Sequence, residues 1–229
     1  MENNIINLSQ DQVKIRQNTF ITNVYGLMTG ALAITGFIAW YVMNDENLVQ
    51  RIAPNFRILL LLEFGVVLGL SYLANKVSVN VARLLFVFYS ALNGLTFGAM
   101  LSFYTTASIA STFFVTAGTF GIMSIYGYYT KRDLTSIGRI LIMALIGIFI
   151  ASIVNFFLHS PQLYWVVTYV GVIIFVGLVA YDTQKLKALS LDLQGEEMEH
   201  KASIIGALIL YLDFINLFLL LFRIMGRRR

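Results

Sequence analysis

The 229 residues are 58% hydrophobic and only 12% charged, with a mean hydropathy of +0.77, where a soluble domain carries about 25% charged residues. No water-soluble core absorbs that much apolar surface, so the bilayer is the expected solvent. Cysteine is absent, which removes disulfides, thiolate metal sites and cysteine nucleophiles together, and the basic residues behind the net charge of +4 sit in short segments between apolar runs, where they orient membrane helices rather than bind nucleic acid.

In chain order, residues 1–19 are polar, with no short apolar core followed by a cleavage site. They read as a retained amphipathic arm on the cytoplasmic side, preceding a transmembrane domain over residues 20–229. The first expected span is 20–42, with Gly26, Gly30 and Gly36 at spacings that let helices approach closely. After the polar stretch NDENLVQRIAPNFR comes 58–74, which carries Glu63 and ends near Lys76. The third span, 84–104, holds Gly94 and Gly98, again suited to close packing, and Asn93. Spans four and five, 108–129 and 137–158, flank the basic turn TKRDLTS, and Asn155 lies in the fifth. The sixth, 163–181, leads into Asp182. An acidic stretch, LSLDLQGEEMEH, is expected to form the loop before the last span, 203–222, which contains Asp213 and Asn216 and is followed by Arg223 and a basic tail. Each run approaches the ~20 residues that cross ~30 Å of hydrocarbon. His159 and His200 fall in expected loops and receive no metal role.

With seven spans, ten Lys and Arg residues fall on the side of the amino terminus and six on the other. The amino terminus is therefore expected in the cytoplasm. The terminal Arg227, Arg228 and Arg229 then lie outside, against the rule; either the tail is a tolerated exception, the favoured reading, or the seventh segment does not cross fully.

An ionised side chain near mid-bilayer costs about 2.5–3.5 kcal/mol on insertion scales, so each needs a partner or water. Helices six and seven run in opposite directions, which puts Asp182 and Asp213 together in the cytoplasmic half. Two contacting carboxylates in a low dielectric share one proton, which makes the pair a proton sensor. Lys76 is nearest to the pair in depth. Glu63 and Arg223 both fall in the outer half, where an ion pair is geometrically allowed. Asn93, Asn155 and Asn216 are expected to make interhelical hydrogen bonds.

The blocks FITNVYGLMTGALAITGFIAWYV, FYSALNGLTFGAML, SIYGYYTKRDLTSIGRILIMALIGIFIASIVNFFL, AYDTQKLK and YLDFINLFLLLFRIMG closely resemble the bacterial Bax-inhibitor-like proteins, or transmembrane Bax inhibitor motif family. The resemblance covers nearly every span in order. It implies an all-α membrane fold of seven helices with the seventh central and enclosed by the other six, in the bacterial inner membrane. It further implies a pH-sensitive calcium leak, with Asp182 and Asp213 as the di-aspartyl sensor and weak calcium site. Lys76 is then the candidate latch, and Glu63 with Arg223 a second polar pair.

Calcium is thus expected as a permeant ion rather than a cofactor, because two or three acids are too few for a tight cage and weak binding suits an ion that must leave. An interaction protein acting on a membrane protease or cell-death machinery is the alternative. An intramembrane aspartyl protease fits poorly, since Leu210, Tyr211 and Leu212 stand where glycines should precede its second aspartate. The chain is accordingly not expected to be an enzyme.

Overall fold

A computed structural model describes residues 10–73 and 76–229. Seven of its helices are long and apolar enough to cross a membrane. In order they are α1 (Gln10–Met43), a short α2 (Glu46–Ile52) with one 3-10 turn, α3 (Phe56–Leu73), α4 (Val79–Leu101), α5 (Thr106–Tyr129), α6 (Thr135–Leu158), α7 (Pro161–Asp192) and α8 (Glu196–Met225). Side-chain caps start several of them. Asp45 accepts from the amides of Asn47 and Leu48 at 2.9 and 3.2 Å, and Ser160 accepts from Leu163 at 3.3 Å, satisfying amides that a helix start leaves open.

Several helices outrun the apolar spans. α1 begins at Gln10, so the described half of the expected arm is helix; residues 1–9 and the end of the expected second span, residue 74, lie outside the described residues. The expected acidic loop shrinks to residues 193–195, because α7 continues to Asp192 and α8 already starts at Glu196. The flanking residues are strong helix formers such as Lys, Leu, Ala, Glu and Met. Glu196, Glu197 and Glu199 also favour the positive end of α8, and Glu197 pairs with Lys201 at 2.8 Å. Gly195, at φ +86°, makes the reversal that other residues rarely adopt. His200 consequently lies in α8, 3.4 Å from Glu196, and not in a loop.

α8 is the most buried span. Its close partners are α1, α4, α5 and α7, while α3 packs on α4 and α6 packs on α7. The close contacts of α8 thus come from four helices, with α3 and α6 packed mainly on α4 and α7.

Close helix approach depends on only some of the glycines. A Cβ at Gly94 would lie 2.7 Å from the Cβ of Ile38, and one at Gly98 2.9 Å from the Ala39 carbonyl, so α4 meets α1 through these two positions. Gly26, Gly30 and Gly36 have no neighbour within 4 Å of such a Cβ and play no part in it. At the other face, a Cβ at Gly127 would run into the Ala180 backbone and one at Gly138 into the Tyr181 ring, which brings α5 and α6 against α7 beside Asp182. Gly127→Ala is therefore expected to destabilise the protein by about 1–3 kcal/mol, since backbone cannot move aside. Gly30→Ala, in open space, is expected to be neutral or to gain up to about 1 kcal/mol. Thermal unfolding in detergent checks both, and equal midpoints for the two variants would mean that α5 and α7 do not meet this tightly.

Candidate functional site

The α7 segment AYDTQKLK is held from several sides. The Tyr181 ring covers Gly138. The Thr183 and Tyr25 hydroxyls are 2.9 Å apart, tying α7 to α1. Gln184 staples the α5–α6 turn, accepting from the Leu134 amide at 2.9 Å and donating to the Arg132 carbonyl at 2.8 Å. The Lys187 ammonium donates to the Tyr128 carbonyl at 2.9 Å. The Tyr128 hydroxyl bonds Asn18 of α1, and Arg16 of α1 donates to the Leu193 carbonyl. This half of α7 is therefore positioned by α1, α5 and the α5–α6 turn.

Asp182, half-buried in this frame, faces the Asp213 carboxyl of α8. Asp213 is 6% exposed, and its Oδ2 has no donor among the described residues. Ionised carboxylates only accept, so two of them in contact need a proton between them. The Lys185 ammonium acts on Asp182 from one turn along α7, and the neutral Tyr25 phenol faces Asp213 from α1 with the Ser124 hydroxyl of α5 beside it. A base three residues after Asp182 on a helix is a signal visible in the sequence. Tyr25 carries no such signal, because only tertiary packing brings it to Thr183.

A cavity of about 750 Å³ opens between α7 and α8 below the 193–195 turn, and Asp182 lines it. Lys201, Ile205 and Ile209 of α8 line it as well. These three begin a stripe: Lys201, Ile205, Ile209, Leu212, Asn216 and Leu219 are half-exposed and Arg223 is exposed, whereas every other residue from 202 to 222 except Leu221 is buried. Steps of three and four keep the stripe on one face of the helix. Asp213 adjoins it, and Arg223 ends it in a second cavity of about 460 Å³ at the far end of the bundle.

The remaining expected site residues are dispersed. Lys76 is exposed, its ammonium 3.8 Å from the centre of the Tyr72 ring, so the base acting on Asp182 in this conformation is Lys185. Glu63 accepts from the Thr96 hydroxyl of α4, and Arg223 lies 5.2 Å from the centre of the Tyr164 ring. The structure does not bring these two together, because α3 packs on α4 rather than on α8. The asparagines are likewise not interhelical. Asn93 and Asn216 donate to carbonyls of their own helices at 3.0 and 2.8 Å, and Asn155 accepts from the Ser160 amide at 2.9 Å in the α6–α7 turn. Interhelical polar contacts come instead from hydroxyls: Thr35 and Tyr211 are 2.8 Å apart, and Thr35 donates to the Ser90 carbonyl at 2.9 Å. In a double-mutant cycle on thermal stability, Glu63→Gln and Thr96→Val should couple by about 0.5–3 kcal/mol, while Glu63→Gln and Arg223→Gln should add. Coupling of the second pair alone would place Glu63 elsewhere.

Residues 17–229 match the family model described as Inhibitor of apoptosis-promoting Bax1. The chain belongs to this Bax inhibitor family. Within it, the chain is 53% identical over 216 residues to the inner membrane protein YbhL of Escherichia coli K12, covering 92% of each chain. It is 43% identical over 230 residues to a protein of Borreliella burgdorferi, covering 98% of this chain and 99% of the relative. A Deinococcus radiodurans protein is 42% identical over 224 residues, with 97% and 96% covered. The family match takes in both aspartates, Glu63 and Arg223. With seven membrane-crossing helices, this Bax inhibitor family member is an integral multi-pass membrane protein.

Proposed function

We propose that the protein is a calcium-permeable leak of the bacterial inner membrane whose flux follows the shared proton of Asp182 and Asp213. The observation that carries this reading is the contact of the two carboxyls, one on each of two adjacent helices, beside a cavity that opens toward the 193–195 turn. With the proton present, the pair acts as one hydrogen-bonded unit joining α7 to α8. With it lost, two like charges repel across the helix interface, and the vacated oxygens attract a hard cation. Two carboxylates provide weak calcium binding, which suits an ion that must also leave. The ion path proposed here follows the half-exposed stripe of α8, with the cytoplasm on the side of the 193–195 turn, as the distribution of basic residues favours.

The cytoplasmic α5–α6 turn does not compete as the sensor. The Thr135 hydroxyl and amide, helped by Arg139, hold Asp133 below its ordinary range. Its folded pKa is depressed, so the contact is present at neutral pH and is lost only as acid pH falls through that lowered value. Asp133 therefore stays ionised across the window in which the pair is expected to respond. Purified protein in liposomes loaded with a calcium dye tests the reading. Flux above that of empty liposomes, changing between about pH 5 and 8, is the expected result. Flux equal to the empty control at every pH would sink it.

A further inference from the structure

We propose that the outer cleft between the ends of α4 and α8 and the start of α7 binds the phosphate of an anionic phospholipid headgroup. Arg223 of α8 and Arg228 of the tail line this cavity of about 460 Å³ together with Tyr104 and Tyr164. Neither guanidinium has a carboxylate within salt-bridge distance among the described residues; the ion pairs there, His200–Glu196 and Lys201–Glu197, lie at the opposite end of α8. Each guanidinium is seated on a ring instead, Arg223 at 5.2 Å from the Tyr164 centre and Arg228 at 5.9 Å from that of Tyr104. Ring contact restrains an arginine through its flat face and leaves its N–H edge for a planar, two-point acceptor. Phosphate oxygens meet that geometry.

The tail that delivers Arg228 is tied down by its backbone. The Thr105 amide donates to the Arg227 carbonyl at 2.9 Å and the Arg229 amide to the Phe103 carbonyl at 3.0 Å, with Arg228 bridged antiparallel to Tyr104. Such anchoring presents the side chain in one place and lowers the ordering cost of binding. The other wall of the cavity is apolar, formed by Met100, Leu219 and Phe222. A ligand with an anionic head and an acyl chain covers both walls, whereas free phosphate leaves the apolar one wet. An adjoining cavity of about 640 Å³ shares Tyr104 and Arg228 and adds Arg229, giving the rest of a headgroup room. Anionic lipid also accounts for a basic tail on the side where the positive-inside rule disfavours it.

Binding alone reads this proposal, whether or not the protein conducts calcium. The full chain in neutral detergent is titrated, at fixed ionic strength, with phosphatidylglycerol, with phosphatidylcholine of the same chains, and with inorganic phosphate, followed by native mass spectrometry and melting temperature. Phosphatidylglycerol is expected to bind one-to-one and at least about tenfold more tightly than phosphatidylcholine, with Arg223→Gln and Arg228→Gln each losing about that factor and Arg228→Lys keeping part of it. Arg57→Gln, at the same end but outside the cleft, should bind as wild type. Equal affinity for the two lipids, or unchanged binding by Arg228→Gln, overturns the proposal. Inorganic phosphate binding as tightly as the lipid also overturns it, leaving a site for a free anion.

Discussion

Asp213→Asn is expected to abolish the pH dependence of calcium flux while leaving a folded protein. Asparagine keeps the size of the side chain, cannot titrate, and offers an N–H to the Asp182 carboxylate where the shared proton stood. The variant should therefore be fixed near the acid limit of the wild-type curve at every pH. Asp182→Asn should flatten the curve in the same way, because the proton belongs to the pair. A coupling of about 1–3 kcal/mol between proton and conformation corresponds to a change in wild-type flux of about 5–150-fold across the titration, which a liposome assay resolves. Glu63→Gln is the control, being the other carboxylate held inside a span, on the Thr96 hydroxyl of α4. It should shift the flux level without removing the pH response. If both aspartate variants retain the wild-type profile, the sensor is elsewhere even if the protein conducts.

How far the sequence leads can be seen at particular residues. The Asp182–Asp213 contact follows from two facts written in the chain: their depths in adjacent spans and the opposite directions of those spans. Depth was not enough for Glu63 and Arg223, because it leaves the angle around the bundle open, and α4 stands between α3 and α8. Helix ends beyond the hydrocarbon look like loop at residues 189–192 and 196–200, where hydropathy falls but helix propensity does not. The glycines of α1 and α4 look alike in the sequence, yet only Gly94 and Gly98 face a neighbour. The asparagines turned back to their own helix or turn, because a short amide can satisfy itself locally. Contacts such as Tyr25 with Thr183 join residues far apart in the chain, and no local pattern announces them.

A cysteine scan along α8 is expected to trace the ion path, and the absence of native cysteine makes the background clean. Ile205, Ile209, Leu212, Asn216 and Leu219 fall on the half-exposed stripe, whereas Ile204, Leu210 and Leu217 are 0% exposed. The thiolate, which forms only where water reaches, attacks a charged, water-soluble thiol reagent. Cysteines at 205, 209, 212 and 216 should react, and those at 204, 210 and 217 should not. Modification at 212 or 216, between the two cavities, should cut calcium flux by about tenfold or more, since a bulky fixed charge then stands in the path. The scan also separates a water-filled path from a lipid-filled groove, which the same exposure pattern would produce. In lipid, the thiol stays protonated and the reagent is excluded, so 212 and 216 would be as silent as 204. That silence, combined with calcium flux in the unmodified cysteine variants, would move the ion path off α8 and leave the stripe as a seam for acyl chains.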